Sequence, residues 1–169
     1  TAIIGSTGSG KSTLINLIPR FYDVTSGSVR VNGRDVREVN QTTLRDRIGY
    51  IPQKALLFSG TIESNLRYAK EDATQEELEK AIEIAQASNI IQEKAGHYEE
   101  PISQGGTNVS GGQKQRLSIA RALVKNPDIY IYDDSFSALD YKTDAALRAA
   151  LEKDLSDKTL IVVAQRIST

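Results

Sequence analysis

The chain has 169 residues, 39% of them hydrophobic and 25% charged, which is the ordinary balance of one globular domain large enough to bury a core. Its formal net charge of -1 gives no global positive field to attract nucleic acid, and the absence of cysteine excludes disulfides and thiolate metal sites. No apolar run approaches the ~20 residues that a membrane helix needs, and no signal peptide opens the chain. The sequence contains no methionine and begins inside an apolar run, so we interpret it as a segment of a longer protein, truncated at both ends.

The first elements surround a glycine-rich stretch. The apolar run at residues 2–4 predicts a strand that leads into this stretch. Leu14, Leu17 and Ile18 then predict one apolar face of a helix. The order strand, glycine loop, helix is typical of α/β proteins.

The chain continues with two more strands and two helices. Alternation at residues 28–31 and the apolar run at residues 48–51 predict strands. Residues 61–68 predict a short helix. Thr74 and Glu77 form a capping-box pattern that predicts the start of a longer helix.

The second half repeats the alternation. A polar loop is expected over residues 94–109, followed by a long helix that begins near Gln113. Residues 129–132 predict a buried strand, residues 143–155 a helix, and residues 160–164 a last buried strand.

Apolar strands that alternate with helices predict an α/β fold with a mostly parallel sheet. We expect residues 1–169 to form one domain. Within it, the helical stretch at about residues 66–112 predicts an inserted helical subdomain.

The glycine-rich stretch matches the phosphate-binding P-loop pattern in full. Its glycines allow backbone N–H groups to point at phosphate oxygens, Lys11 supplies a positive charge for the terminal phosphates, and the Ser12 hydroxyl can hold Mg²⁺. A plain glycine turn would not require Lys-Ser at this spacing, so the sequence predicts a P-loop NTPase core. The expected nucleotide-binding residues are Gly5, Ser6, Thr7, Gly8, Ser9, Gly10, Lys11, Ser12 and Thr13.

A carboxylate follows the strand at residues 129–132. Asp133 at this strand end is expected beside the P-loop, where it would hold Mg²⁺ together with Ser12. Taken alone, an aspartate after an apolar run is more often a turn or helix-cap residue. The complete P-loop upstream favours the metal site.

A second candidate anion site precedes the long helix. It consists of Ser110, Gly111, Gly112 and Gln113. The serine can cap the helix and the glycines leave its N-terminal amides open. A simple capped helix is the alternative interpretation of the motif by itself.

These four residues, followed by Lys114, Gln115 and Arg116, resemble the signature motif of ABC ATPases. The resemblance covers essentially the whole chain. Gln53 is similar to the family's Q-loop glutamine, which contacts Mg²⁺ and the attacking water, and residues 137–140 are similar to its D-loop. Residues 57–62 resemble exporter-type members.

The resemblance implies ATP and Mg²⁺ as cofactors and a second nucleotide-binding domain as partner. In this family two such domains bind head to tail, and each ATP lies between one P-loop and the partner's signature helix. It also implies contacts with the chain's own and the partner's transmembrane domains, at the cytoplasmic face of the cell membrane. No nucleic-acid partner is expected.

Two positions depart from the family's active pattern. Asp134 stands where the family has a glutamate that acts as general base, and Gln165 stands where it has a histidine that contacts the γ-phosphate. With Gln53, these are the expected catalytic residues. Together the two changes predict a site that binds ATP but hydrolyses it slowly, while the intact signature serves an active site in a different partner chain.

Two other functions stay open on the sequence. One is a soluble ABC ATPase that acts on nucleic acid or ribosomes, although such proteins usually carry coiled coils or tandem cassettes. The other is a non-hydrolysing module whose dimerisation is gated by ATP.

Overall fold

The structure is a computed structural model that describes residues 3, 5, 6 and 8–164. Residues 2 and 4 of the strand expected at residues 2–4, and the site residues Thr7 and Gln165, lie outside these described residues. The helices are α1 Lys11–Asn16, α2 Gln41–Asp46, α3 Ile62–Arg67, α4 Gln75–Ile84, α5 Ser88–Glu93, α6 Gly111–Lys125 and α7 Tyr141–Asp154. The strands are β1 Arg30–Val31, β2 Arg34–Asp35, β3 Ile48–Ile51, β4 Gly60–Thr61, β5 Pro101–Ile102, β6 Ile129–Asp133 and β7 Thr159–Val163.

A parallel sheet lies at the centre of the described fold. Its strand order is β3-β6-β7, with Ile51 opposite Tyr132 and Asp133 opposite Val163. The carboxyl ends of the three strands therefore meet at one edge, where sheets of this kind bind ligands. The parallel sheet confirms the predicted α/β fold class.

Side chains on the two faces of β6 enter two different cores. Tyr130 and Tyr132 are fully buried in the cluster that includes residues of α3 to α7. Ile131 points the other way, into a smaller cluster with Ile15 of α1 and Leu44 of α2. This is the two-residue period of a strand that is covered on both faces.

The helices α3 and α4 pack against α6 and share the larger core. Capping boxes start α3 at Thr61 and α4 at Thr74, and the second is the one that its sequence pattern predicts. The assignment of about residues 66–112 to a helical subdomain stays a prediction.

Several local predictions need correction. Helix α1 ends at Asn16, and its buried residue is Ile15, whereas Leu14 is 47% exposed. The helix is too short for a full apolar face, so its contact with the sheet decides which side is covered. The polar loop expected at 94–109 contains β5, which pairs with the distant β4. Such long-range pairing leaves little signal in a two-residue strand.

None of the helices in the described part of the chain is long and apolar enough to span a membrane.

Candidate nucleotide site

The P-loop residues form a tight turn into α1. Gly8 and Gly10 have left-handed φ angles of 79° and 88°, which glycine adopts at little cost. A Cβ on Gly5 would clash with the Ser9 side chain, which would have to move to make room for it. The first backbone bond of the helix runs from the Leu14 amide to the Gly10 carbonyl at 2.9 Å. The amides at 11–13 therefore precede the helical hydrogen-bond ladder.

The Lys11 ammonium lies over this turn. Its Nζ donates to the carbonyl oxygens of Gly5 at 2.7 Å and Ser6 at 2.8 Å, and it lies 3.4 Å from Ser9 Oγ. An exposed positive charge is thus held at the mouth of the loop, where it would meet an anion.

Ser12 and Asp133 are in direct contact, although 121 positions separate them. Ser12 Oγ donates to Asp133 Oδ1 at 2.8 Å, and the carboxylate is only 8% exposed at the end of β6. A hydroxyl and a carboxylate oxygen are ligands that Mg²⁺ accepts. The pair therefore fits a magnesium ion that also binds phosphate oxygens.

A tyrosine that the motifs did not single out completes this group. The Tyr50 hydroxyl lies 3.0 Å from Asp133 Oδ2 and 2.9 Å from Asn16 Oδ1. Burial, followed by the contact with Asp133, raises the pKa of Tyr50 well above its usual value, so the hydroxyl stays protonated. The one signal that could have indicated a role for Tyr50 is its position on β3, the strand that pairs with β6.

Gln53 and Asp134 form the second polar pair of the site. Gln53 Nε2 donates to Asp134 Oδ2 at 2.8 Å. The backbone of Asp134 has a φ of 50°, its amide donates to Val163 at 3.0 Å, and its carbonyl accepts from Ser137 Oγ at 2.8 Å. The aspartate is 7% exposed, so a fixed backbone holds a buried carboxylate.

Ser12 of the first polar pair and both members of the second line one cleft of about 200 Å³ together with the P-loop. It is lined by Gly8, Gly10, Lys11, Ser12, Thr13, Gln53, Asp134 and Val163. The structure thus brings together most of the predicted nucleotide, metal and catalytic residues at the carboxyl edge of the sheet.

The signature residues form a separate site. Ser110 Oγ accepts from the Gln113 amide at 3.2 Å, and Gln113 Oε1 accepts from the Ser110 amide at 3.0 Å. This capping box starts α6 at Gly111, two residues before the predicted start near Gln113. None of the signature residues 110–113 lines the P-loop cleft. A Cβ on Gly112 would lie 3.5 Å from the Ala138 carbonyl, so the signature adjoins residues 137–140.

The segment at residues 137–140 leads directly into α7. Asp140 caps this helix: its Oδ1 accepts from the Thr143 amide at 3.0 Å and its Oδ2 from Thr143 Oγ1 at 2.7 Å. These hydrogen bonds hold the pKa of Asp140 below its usual value. The cap fixes the end of the segment that runs from Asp134 to the start of α7.

Residues 1–137 match the family model described as ABC transporter. An uncharacterized ABC transporter ATP-binding protein of Mycobacterium tuberculosis is 51% identical over 171 residues, which cover 99% of this chain and 29% of that protein. The ATP-dependent lipid A-core flippase of Desulfotalea psychrophila is 42% identical, with the same 99% and 29% coverage.

A solved structure of a bacterial Atm1-family ABC exporter with ATP bound is also similar. It has a TM-score of 0.92 and 36% sequence identity over 96% of this chain. The match covers 28% of that exporter chain. The present chain therefore spans less than a third of the length of these relatives.

Proposed function

The chain belongs to the ABC transporter family, and from this membership we propose that it is the ATP-binding domain of an exporter, in which it dimerises head to tail around ATP to drive transport. The observation that supports this best is that Lys11 and Ser12 line one cleft, and that Ser12 Oγ donates to Asp133 Oδ1 at 2.8 Å. Lys11 would neutralise the terminal phosphates, and Ser12 and Asp133 would hold Mg²⁺. The bound metal supplies charge neutralisation to the phosphates.

The cleft's own hydrolysis is proposed to be slow. Asp134 is one carbon shorter than the glutamate of the active family pattern, which removes roughly 1.5 Å of reach. Its carboxylate is turned to the Gln53 amide and its backbone is bonded on both sides, so it has little freedom to advance. A displacement of about 1 Å can cost on the order of a hundredfold in rate. Gln165, at the histidine position, removes a group able to carry positive charge.

The signature site is proposed to serve a different chain. Ser110 and Gln113 cap α6, and the glycines between them add no side chain over its N-terminal amides. This motif lines no part of the P-loop cleft of the same chain. In a head-to-tail heterodimer it would complete the partner's active ATP site.

The proposed membrane-domain contact has a candidate surface. Tyr68 is 71% exposed and packs with a tilted ring against the 40% exposed Phe58, beside Arg121. Tyr68 and Arg121 also line an open groove of about 410 Å³. An exposed aromatic patch with a nearby cation is typical of a protein-binding surface. We propose that transmembrane domains dock here, which would place the chain at the cytoplasmic face of the membrane.

The proposal is tested by nucleotide binding and hydrolysis in the full-length protein. Magnesium-dependent ATP binding is expected, with weak turnover at this chain's own cleft. Lys11→Ala should abolish the binding, whereas Lys80→Ala, which removes an exposed lysine of α4, should leave it unchanged. Equal binding by the protein and its Lys11→Ala variant would overturn the proposed nucleotide site.

A further inference from the structure

Tyr50 connects the P-loop helix to the metal-site carboxylate. Its hydroxyl contacts Asn16, the last residue of α1, and Asp133, the last residue of β6. Tyr50 itself lies on β3, opposite Ile131 of β6. Three elements that border the cleft therefore meet at one phenolic oxygen.

The hydrogen of Tyr50 belongs on the Asp133 side of this contact. A carboxylate only accepts hydrogen bonds, whereas the amide of Asn16 can present its NH₂ group when it is turned round. With its amide oxygen and nitrogen exchanged, Asn16 would donate to the Tyr50 oxygen while Tyr50 donates to Asp133 Oδ2. Each of these two hydrogen bonds then has one donor, and the bond from Tyr50 to Asp133 is strengthened by the negative charge of the carboxylate.

Asp133 is thus held by two hydroxyls, one on each carboxylate oxygen. Ser12 holds Oδ1 at 2.8 Å and Tyr50 holds Oδ2 at 3.0 Å. Ser12 is itself a candidate metal ligand, so its contact with Asp133 depends on the state of the site. Tyr50 is not among the proposed ligands.

The ring of Tyr50 is fixed independently of its hydroxyl. Phe21 packs edge-on against it, with ring centroids 5.3 Å apart, and Arg45 lies over the Phe21 ring. Removal of the hydroxyl alone would leave this packing in place.

We propose that Tyr50 is a positioning residue for magnesium: through its contact with Asp133 Oδ2 and Asn16, it orients the metal-binding carboxylate relative to the P-loop helix. This inference rests on the proposed nucleotide site. Groups that orient a metal ligand typically change metal affinity about tenfold or more when they are removed.

The test is a Mg²⁺ titration of the full-length protein with a fluorescent ATP analogue as probe, repeated in EDTA. Tyr50→Phe is expected to raise the Mg²⁺ concentration at half-saturation about tenfold, with little change in metal-free nucleotide affinity. A merely structural role would instead weaken binding in both conditions or lower the melting temperature.

Tyr132→Phe is the matched control. It removes a tyrosine hydroxyl from the adjacent strand, and that hydroxyl has no hydrogen-bond partner among the residues the structure describes. Its Mg²⁺ dependence is expected to equal that of the unchanged protein. If Tyr50→Phe also behaves like the unchanged protein, or loses affinity equally in EDTA, the positioning role is wrong. If the unchanged protein shows no Mg²⁺-dependent binding, the proposed function itself fails.

Discussion

The side-chain amide of Gln53 donates a 2.8 Å hydrogen bond to the carboxylate of Asp134, across 81 positions of sequence. Gln53 follows the carboxyl end of β3, and Asp134 follows that of β6. Because the two strands are parallel neighbours, their ends deliver both side chains to the same edge of the cleft. Among the described residues, Asp134 carries the only carboxylate that lines this cleft. Its contact with Gln53 therefore fixes the direction in which that carboxylate points.

Asp134→Glu is expected to increase hydrolysis at the chain's own cleft. The added methylene restores roughly 1.5 Å of reach, and we expect a gain of about tenfold or more in steady-state turnover. The addition of Gln165→His should raise the rate further. Phosphate release by the purified full-length protein measures this, with each variant repeated in a Lys11→Ala background as the blank.

High turnover in the unchanged protein, with no gain in Asp134→Glu, would contradict this prediction. It would show that the aspartate is an adequate base, and a symmetric ATPase would then describe the protein better.

We expect the same loss of stability from Ser110→Ala and Thr74→Ala, but different effects of the two substitutions on ATP hydrolysis. Both hydroxyls accept from the amide three residues on, at 3.2 Å, in capping boxes that start α6 and α4. Each substitution should lower the free energy of unfolding by about 1 kcal/mol.

Only Ser110→Ala should reduce ATP hydrolysis by the assembled transporter. Loss of the proposed hydrogen bond from the Ser110 hydroxyl to the charged ATP should lower the rate of hydrolysis roughly tenfold or more. Equal losses of hydrolysis in both variants would show that the signature serine acts through helix stability alone.

Asn65→Ala is expected to destabilise the fold strongly. Asn65 is 3% exposed, its Oδ1 accepts from the Phe58 amide at 2.8 Å, and its Nδ2 donates to the Phe58 and Thr61 carbonyls at 2.9 Å. Truncation leaves the Phe58 amide and carbonyl without these partners, whereas the Thr61 carbonyl still accepts from Ser64 Oγ. We expect a cost of about 2–4 kcal/mol.

Thermal unfolding should detect this as a fall of roughly 5–10 °C in Tm. Gln92→Ala, on the exposed side of α5, is the control and should stay within about 0.5 kcal/mol of the unchanged protein. A similar small effect of Asn65→Ala would contradict the prediction.

Asp35 is expected to titrate unusually low. The Arg37 side chain donates to it at 2.7 Å and 3.1 Å, and the Arg37 amide at 3.0 Å, which lowers the pKa of Asp35 from 3.8 to about 2. Because the folded-state pKa is the lower one, the stabilisation by this pair is fully present above pH 3.8. It is lost as the pH falls through about 2.

A pH titration of the Asp35 carboxyl carbon by NMR checks this value. In Asp35→Asn, the pH dependence of stability in this window should be smaller than in the unchanged protein. A titration of Asp35 near its ordinary pKa would contradict the ion pair.

Local patterns in the sequence predicted much of this protein correctly. The capping box at Thr74 and the cap at Ser110 each depend on residues within a few positions, so short-range backbone chemistry determines them. The apolar period of β6 likewise predicted a buried strand that ends in Asp133.

Long-range packing decided the rest. Tyr50 reaches Asp133, and Gln53 reaches Asp134, because β3 pairs with β6. No local sequence pattern indicates which strand lies beside β6. The burial of Ile15 in place of Leu14 depends on how α1 meets the sheet. The family motifs and the chemical groups they carry could be predicted from the sequence, because each motif consists of residues that are neighbours along the chain. Which of these groups touch depends on the fold, because contacts across 81 or 121 positions exist only once the parallel strands have paired.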